Sequence, residues 1–140
     1  MAVKPILLAL ILCDSIIREA QTNKLSLIGT FNNVFAASFP CTHPNISVYI
    51  AITKGRGRIA CKLRMTSLTD DRMIFELPGQ IEFGGPITVG ELAFQLQQIR
   101  FETPGVYAVE FWAGGDLLGS RKLNVQKLEK GTQPGGNPQG

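Results

Sequence analysis

The chain has one histidine, His43, one tryptophan, Trp112, and three cysteines, Cys13, Cys41 and Cys61, in 140 residues. Each scarcity excludes a class of protein. Three widely spaced cysteines are not the even-numbered framework that staples small secreted domains, and they read as reduced thiols in a cytoplasmic protein. No pair shows C-x-x-C spacing, and Cys41-Thr42-His43 does not bring three or four ligands to a tetrahedral centre. A G-x-S-x-G elbow is lacking too. The aspartates are Asp14, Asp70, Asp71 and Asp116. Turn chemistry accounts for Asp70-Asp71 and Asp116, which leaves too few oxygens for a calcium ion wanting six to eight. The residues therefore call for no metal and no cofactor, and no catalytic residue is assigned.

Charge is also modest. Fourteen basic against 11 acidic residues give a net +3. Without clustering, that excess does not imply a nucleic-acid or anionic-membrane partner.

Long hydrophobic runs are missing as well. The longest candidate opens the chain, in "KPILLALILCDS" from Lys4 to Ser15. It is too short for a bilayer, which takes about 20 residues. A signal with Cys13 as a lipid-attachment site would need small residues before the cut, and Leu10, Ile11 and Leu12 stand there instead. The stretch reads as the first core strand, covered on both faces, with Asp14 turning or bulging the chain into "SIIREA".

What is present is alternation. In "RIACKLRMTSL", Ile59, Cys61, Leu63 and Met65 share one face while Arg58, Lys62 and Arg64 share the other, as in a half-buried strand. "NISVYIAIT" is rich in β-branched residues, and "FPCTHPN" before it reads as a rigid loop. Thr22-Asn23, "KGRG" and "TDD" mark turns, and "PGVYAVEFWAGGDLLGSRKLNV" reads as a hairpin over Val106–Trp112 and Leu117–Val125. "GELAFQLQQIRF" fits a period of two slightly better than a helix, although Leu92, Leu96 and Ile99 also suit the helical period. With no internal repeat, about eight or nine strands and no helix, the expected fold is an all-β antiparallel sandwich of immunoglobulin-like appearance. It forms a single domain over 3–125, and the Gly/Pro-rich segment 126–140 is expected to be disordered. Tyr107, just after a Pro-Gly turn, is expected to bury its ring and tie its hydroxyl to a loop.

Lys54, Arg56, Arg58, Lys62 and Arg64 form the one notable charged set, a possible interaction surface on an outward sheet face. Nucleic-acid sheets interleave aromatics for stacking, and none lies between Lys54 and Arg64; Glu76 on the next strand is placed to pair with a base. A solvated, partly paired edge is the favoured reading. "GRG" lacks a following helix to cradle phosphate. "NIS" at Asn45 matches a glycosylation acceptor only in a eukaryotic secretory chain.

In order, "LCD", "TNKLSLIGTFNNVFA", "FPCTHP", a G-x-G turn and "F-x-x-P-G-x-Y" resemble the landmarks of a family of small bacterial proteins known as a domain of unknown function. The resemblance covers Ile6 to Val125. It implies a bacterial, intracellular, single-domain β-sandwich and brings no functional residue. Cys13-Asp14, Gly29, Pro40, Pro44, Gly105 and Tyr107 hold family-like positions with folding roles.

Three expectations for function follow. The first is a non-catalytic module that binds another protein or itself through an exposed sheet or strand edge. The second is an exported or envelope-attached module binding a ligand such as a sugar. The third is a small enzyme using Cys41 or His43. The residues argue against nucleic acid, membrane and metal as partners.

Overall fold

A computed structural model gives the architecture and describes residues 4–84 and 88–128. Nine strands run in chain order: β1 Ile6–Arg18, β2 Leu25–Thr30, β3 Asn33–Ala36, β4 Cys41–Thr53, β5 Gly57–Ser67, β6 Met73–Phe83, β7 Val89–Phe101, β8 Gly105–Ala113 and β9 Asp116–Lys127. They form a four-stranded sheet ordered β2-β1-β4-β7 and a five-stranded sheet ordered β3-β9-β8-β5-β6. The inner faces meet in one core, built from Leu10, Leu12, Val48, Ile50 and Leu96 on one side and Leu63, Met65, Val109, Phe111 and Leu123 on the other. This is the all-β sandwich that the alternation implies.

The hairpins follow from local chemistry. Gly114 and Gly115 have φ +59° and +86°, the paired positive values a two-residue hairpin turn needs and glycine supplies without strain. Asn23 takes φ +63° in the β1–β2 turn, where Glu19 and Lys24 close the loop through their backbones. Tyr107 is buried, and its hydroxyl donates to the Thr103 carbonyl at 2.6 Å, as expected. The stretch 91–98 is strand β7.

Several expectations are corrected. β1 does not break at Asp14. It runs unbroken because β4 pairs it up to Cys13 and β2 pairs it from Cys13 onward. Asp14 fits because the residue facing it is Gly29, where a Cβ would collide with its carboxylate. The one irregularity in β1 lies between Leu7 and Ala9. "FPCTHPN" is not wholly loop, since β4 begins at Cys41. By Pro44 the strand β1 has already left β4, its last pair being Cys13 with Ser47, so on that side the proline has no ladder bond to lose. β6 likewise continues through Pro78 because it is an edge strand.

β3 escaped the sequence reading. Four residues, too few to show a period, carry the chain from the first sheet to the second, where β3 pairs with β9 in parallel; every other pairing among the described residues is antiparallel. That contact extends β9 to Lys127, two residues past the expected boundary. Leu128 still donates its backbone N–H to the Ala36 carbonyl at 2.8 Å, and 129–140 of the expected disordered segment lie outside the described residues.

Candidate functional site

Of the basic set, Arg58, Lys62 and Arg64 do line the outward face of β5, with carboxylates of the neighbouring strand among them. Arg64 lies 2.6 Å from Glu76, Lys62 3.5 Å from the same carboxylate, and Arg58 3.9 Å from Glu82. The Arg64 hydrogen bond holds the Glu76 carboxyl below the usual carboxylate range, and the charges of Lys62 and Arg64 act in the same sense. Lys54 and Arg56 are exposed in the β4–β5 turn, away from this cluster.

An aromatic does join them, which the linear sequence conceals. β8 places Trp112 opposite Lys62. The Lys62 ammonium lies 5.3 Å and the Arg64 guanidinium 5.2 Å from the ring centre, within cation–π range. The ring that a nucleobase would stack on thus carries two cations of its own. The outer face of the five-stranded sheet is a charge-paired, solvated surface.

Cys41 and His43 share the start of β4. Cys41 packs against the core, and burial pushes its thiol up, away from the thiolate a nucleophile needs. The His43 ring lies 6.0 Å from that of Phe31. Cys13 and Cys61 are buried, their thiols also pushed up by desolvation, and all three are unbridged. Among the described residues no group of three or more His, Cys, Asp or Glu is placed to hold a metal ion.

The outer face of the β2-β1-β4-β7 sheet is different. Register places Cys13 beside Ser47, Ile11 beside Tyr49 and Ala9 beside Ala51, and continues across β4 to Gln95, Ala93 and Glu91 of β7. Ser15 and Ile28, then Ile17 and Ser26, extend it onto β2. None of these packs on the core. Leu8, Ile17 and Ile28 are 54%, 50% and 46% exposed, and Val89 and Ile6 are exposed as well. Among these residues Glu91 is the only charge, and it accepts a hydrogen bond from the Tyr49 hydroxyl.

Here the reading of β1 as covered on both faces is overturned. One face meets the five-stranded sheet; among the described residues no strand lies over the other, where Ile6, Leu8 and Ile17 are exposed although the small Cys13, Ser47 and Ala51 are buried. Sequence alone does not separate these cases, because a strand apolar on both faces reads the same whether its second cover belongs to its own chain or to another.

Where the two sheets part, a groove of about 440 Å³ opens between β6 and β7, lined by Ile74, Phe75, Leu77, Leu96, Ile99 and Arg100 among others. The strands touch at the opposite end, where Ile81 fills the space a Cβ at Gly90 would take.

Residues 8–126 match the model of a family of unknown function, DUF6941, which agrees with the resemblance carried by the landmarks. Among curated proteins none matches the sequence. Two solved structures are similar in part. One is the Pseudomonas fluorescens alkylpurine DNA glycosylase AlkC bound to DNA containing an abasic site analog: 11% identity, TM-score 0.47, 67% of this chain and 27% of that one. The other is a β-glucosidase from Listeria innocua in complex with isofagomine: 9% identity, TM-score 0.44, 84% of this chain and 16% of that one. The chain thus spans about a quarter and a sixth of their lengths, and likeness this slight says nothing of what it does.

Proposed function

The chain belongs to the DUF6941 family, and we propose that it is a non-catalytic module that binds another protein or itself through the outer face of its β2-β1-β4-β7 sheet. One observation carries this reading: a four-stranded face with exposed Leu8, Ile17, Ile28 and Val89 and a single carboxylate. Large apolar side chains left in water along one sheet face with so little charge among them mark a contact surface.

The opposite outer face supplies the contrast, with Lys62 and Arg64 paired to Glu76 and Arg58 to Glu82. The unbridged thiols support a reducing, cytoplasmic setting. The Tyr107 hydroxyl, reaching back to Thr103, supports an immunoglobulin-like kinship for the sandwich, which uses such a tyrosine corner.

A photoreactive side chain at position 17, compared with one at 122 on the other sheet, tests the reading in the native host. Protein adducts of either kind should form from position 17 and not from 122. Equal adducts from both, or none from position 17, would overturn it.

A further inference from the structure

We infer that the occupant of this face is a second copy of the same chain, giving a twofold dimer in which two outer faces stack; this rests on the reading just given and specifies its partner. Area is the first argument. With strands about 4.8 Å apart and about 3.3 Å per residue, about ten residues from each of β1, β4 and β7 and the six of β2 present about 600 Å² per copy. A pair therefore buries about 1,200 Å², the lower bound of specific, stable interfaces.

Relief is the second. Small and large side chains alternate in rows across the sheet. Cys13 and Ser47 make a low row with their hydrogen-bonded strands, Ile11 and Tyr49 a tall one, and Ala9 and Ala51 a low one again. A hollow of about 140 Å³ lies along the first low row, lined by Ser15, Ser47, Ala93 and Gln95 with Ile16 and Phe94. Ridge and hollow are on one surface. A twofold axis between two copies sets the Ile11–Tyr49 ridge of each beside the hollow of the other, which is the self-complementarity an isologous contact requires.

Charge is the third. Apart from Glu91 and from Arg100, which pairs with Glu102 near the end of β7, this face offers a partner rich in lysine, arginine or acidic residues no charge to complement, whereas a second copy brings the same largely uncharged surface. The one carboxylate, Glu91, lies on the edge strand β7 and already holds the Tyr49 hydroxyl. A neutral, aligned stacking of sheets about 10 Å apart results, with strand directions within about 30° of each other.

Light scattering coupled to size exclusion tests this on the full chain over a range of concentrations. The wild type should have twice the mass of the 15.3 kDa chain. Ile28→Lys places an unpaired charge in the contact and should weaken association on the order of 100-fold, because burying an uncompensated charge is strongly unfavourable. Lys122→Glu, on the opposite face, should leave the dimer intact. Ile28 is already half-exposed, so circular dichroism should show an unchanged fold, and Ile17→Lys provides a second disruption if it does not. A wild type that stays monomeric at high concentration overturns the dimer, as does a dimer that both lysine variants leave unchanged while they remain folded. If the monomer still forms position-17 adducts with another protein, the contact-face reading survives; if it forms none, both fall.

Discussion

The Tyr49 hydroxyl donates to the Glu91 carboxylate across the β4–β7 ladder, and among the described residues no cation pairs with that carboxylate. Desolvation first, then the hydrogen bond and negative charge of Glu91, push the Tyr49 phenol up to about 12 from its ordinary value of 10.0. Below pH 10 the phenol is neutral in both folded and unfolded chains, and the bond is fully retained. Between pH 10 and about 12 only the unfolded chain sheds the proton, so stability falls as pH rises through that window. Absorbance near 295 nm should show a tyrosinate appearing at about pH 12 in the wild type. Glu91→Gln should lower that midpoint, and Tyr49→Phe should remove it.

Gln98 of β7 stands opposite Pro44 of β4, between the pairs His43–Ile99 and Asn45–Gln97, and has φ +56°. Both strands exchange faces there. Leu92, Phe94 and Leu96 turn inward at even positions, but Ile99 and Phe101 are the buried residues beyond; on β4, Ile46 gives way to Cys41 in the same manner. Left-handed backbone costs an L-residue about 1–2 kcal/mol. Gln98→Gly should raise stability by about 1 kcal/mol, and Gln98→Val, β-branched at positive φ, should lower it by about 1–2 kcal/mol. Urea unfolding midpoints read both.

This face switch shows where sequence reading succeeds and where it stops. Alternation in β5, the β8–β9 hairpin and the Glu76 pairing were legible because each depends on neighbours within one or two strands. The three-residue step from Leu96 to Ile99 imitates a helical period, and only the matching step in β4 explains it. β3 is too short to give a period at all. The contact face was illegible for another reason: Ile11 reads as core until topology shows that, among the described residues, no second layer covers that side of β1, and Trp112 joins Lys62 only through strand order.

Arg121 ties the two sheets at the side away from β7. Its guanidinium donates to Asn32 Oδ1 at 2.9 and 3.0 Å and to the Leu10 carbonyl at 3.1 Å. Leu10 lies in the stretch of β1 that β2 does not pair, so without Arg121 its partly buried carbonyl would lose a charged donor. Arg121→Ala should cost about 2 kcal/mol, the range for hydrogen bonds to a charged group. Arg121→Lys should recover less than half of this, since it lacks the planar fork. Chemical denaturation of the purified variants measures both.

Tyr107→Phe isolates the tyrosine corner. The ring stays packed edge-on against Phe101, 4.9 Å between centres, and only the hydroxyl bond to Thr103 is lost. The expected cost is about 1 kcal/mol with no change in the denaturant slope. A change several times larger would mean that the corner organises more of the β7–β8 turn than one bond.

The central claim is that the uncovered sheet face closes on a second copy of the chain, and hydroxyl-radical footprinting at low and high protein concentration tests it most directly. Ile11, Tyr49 and Ile28 should lose reactivity as concentration rises, while Trp112 and Leu117 on the other sheet keep theirs. Constant reactivity of Ile11, Tyr49 and Ile28 across that range would contradict it.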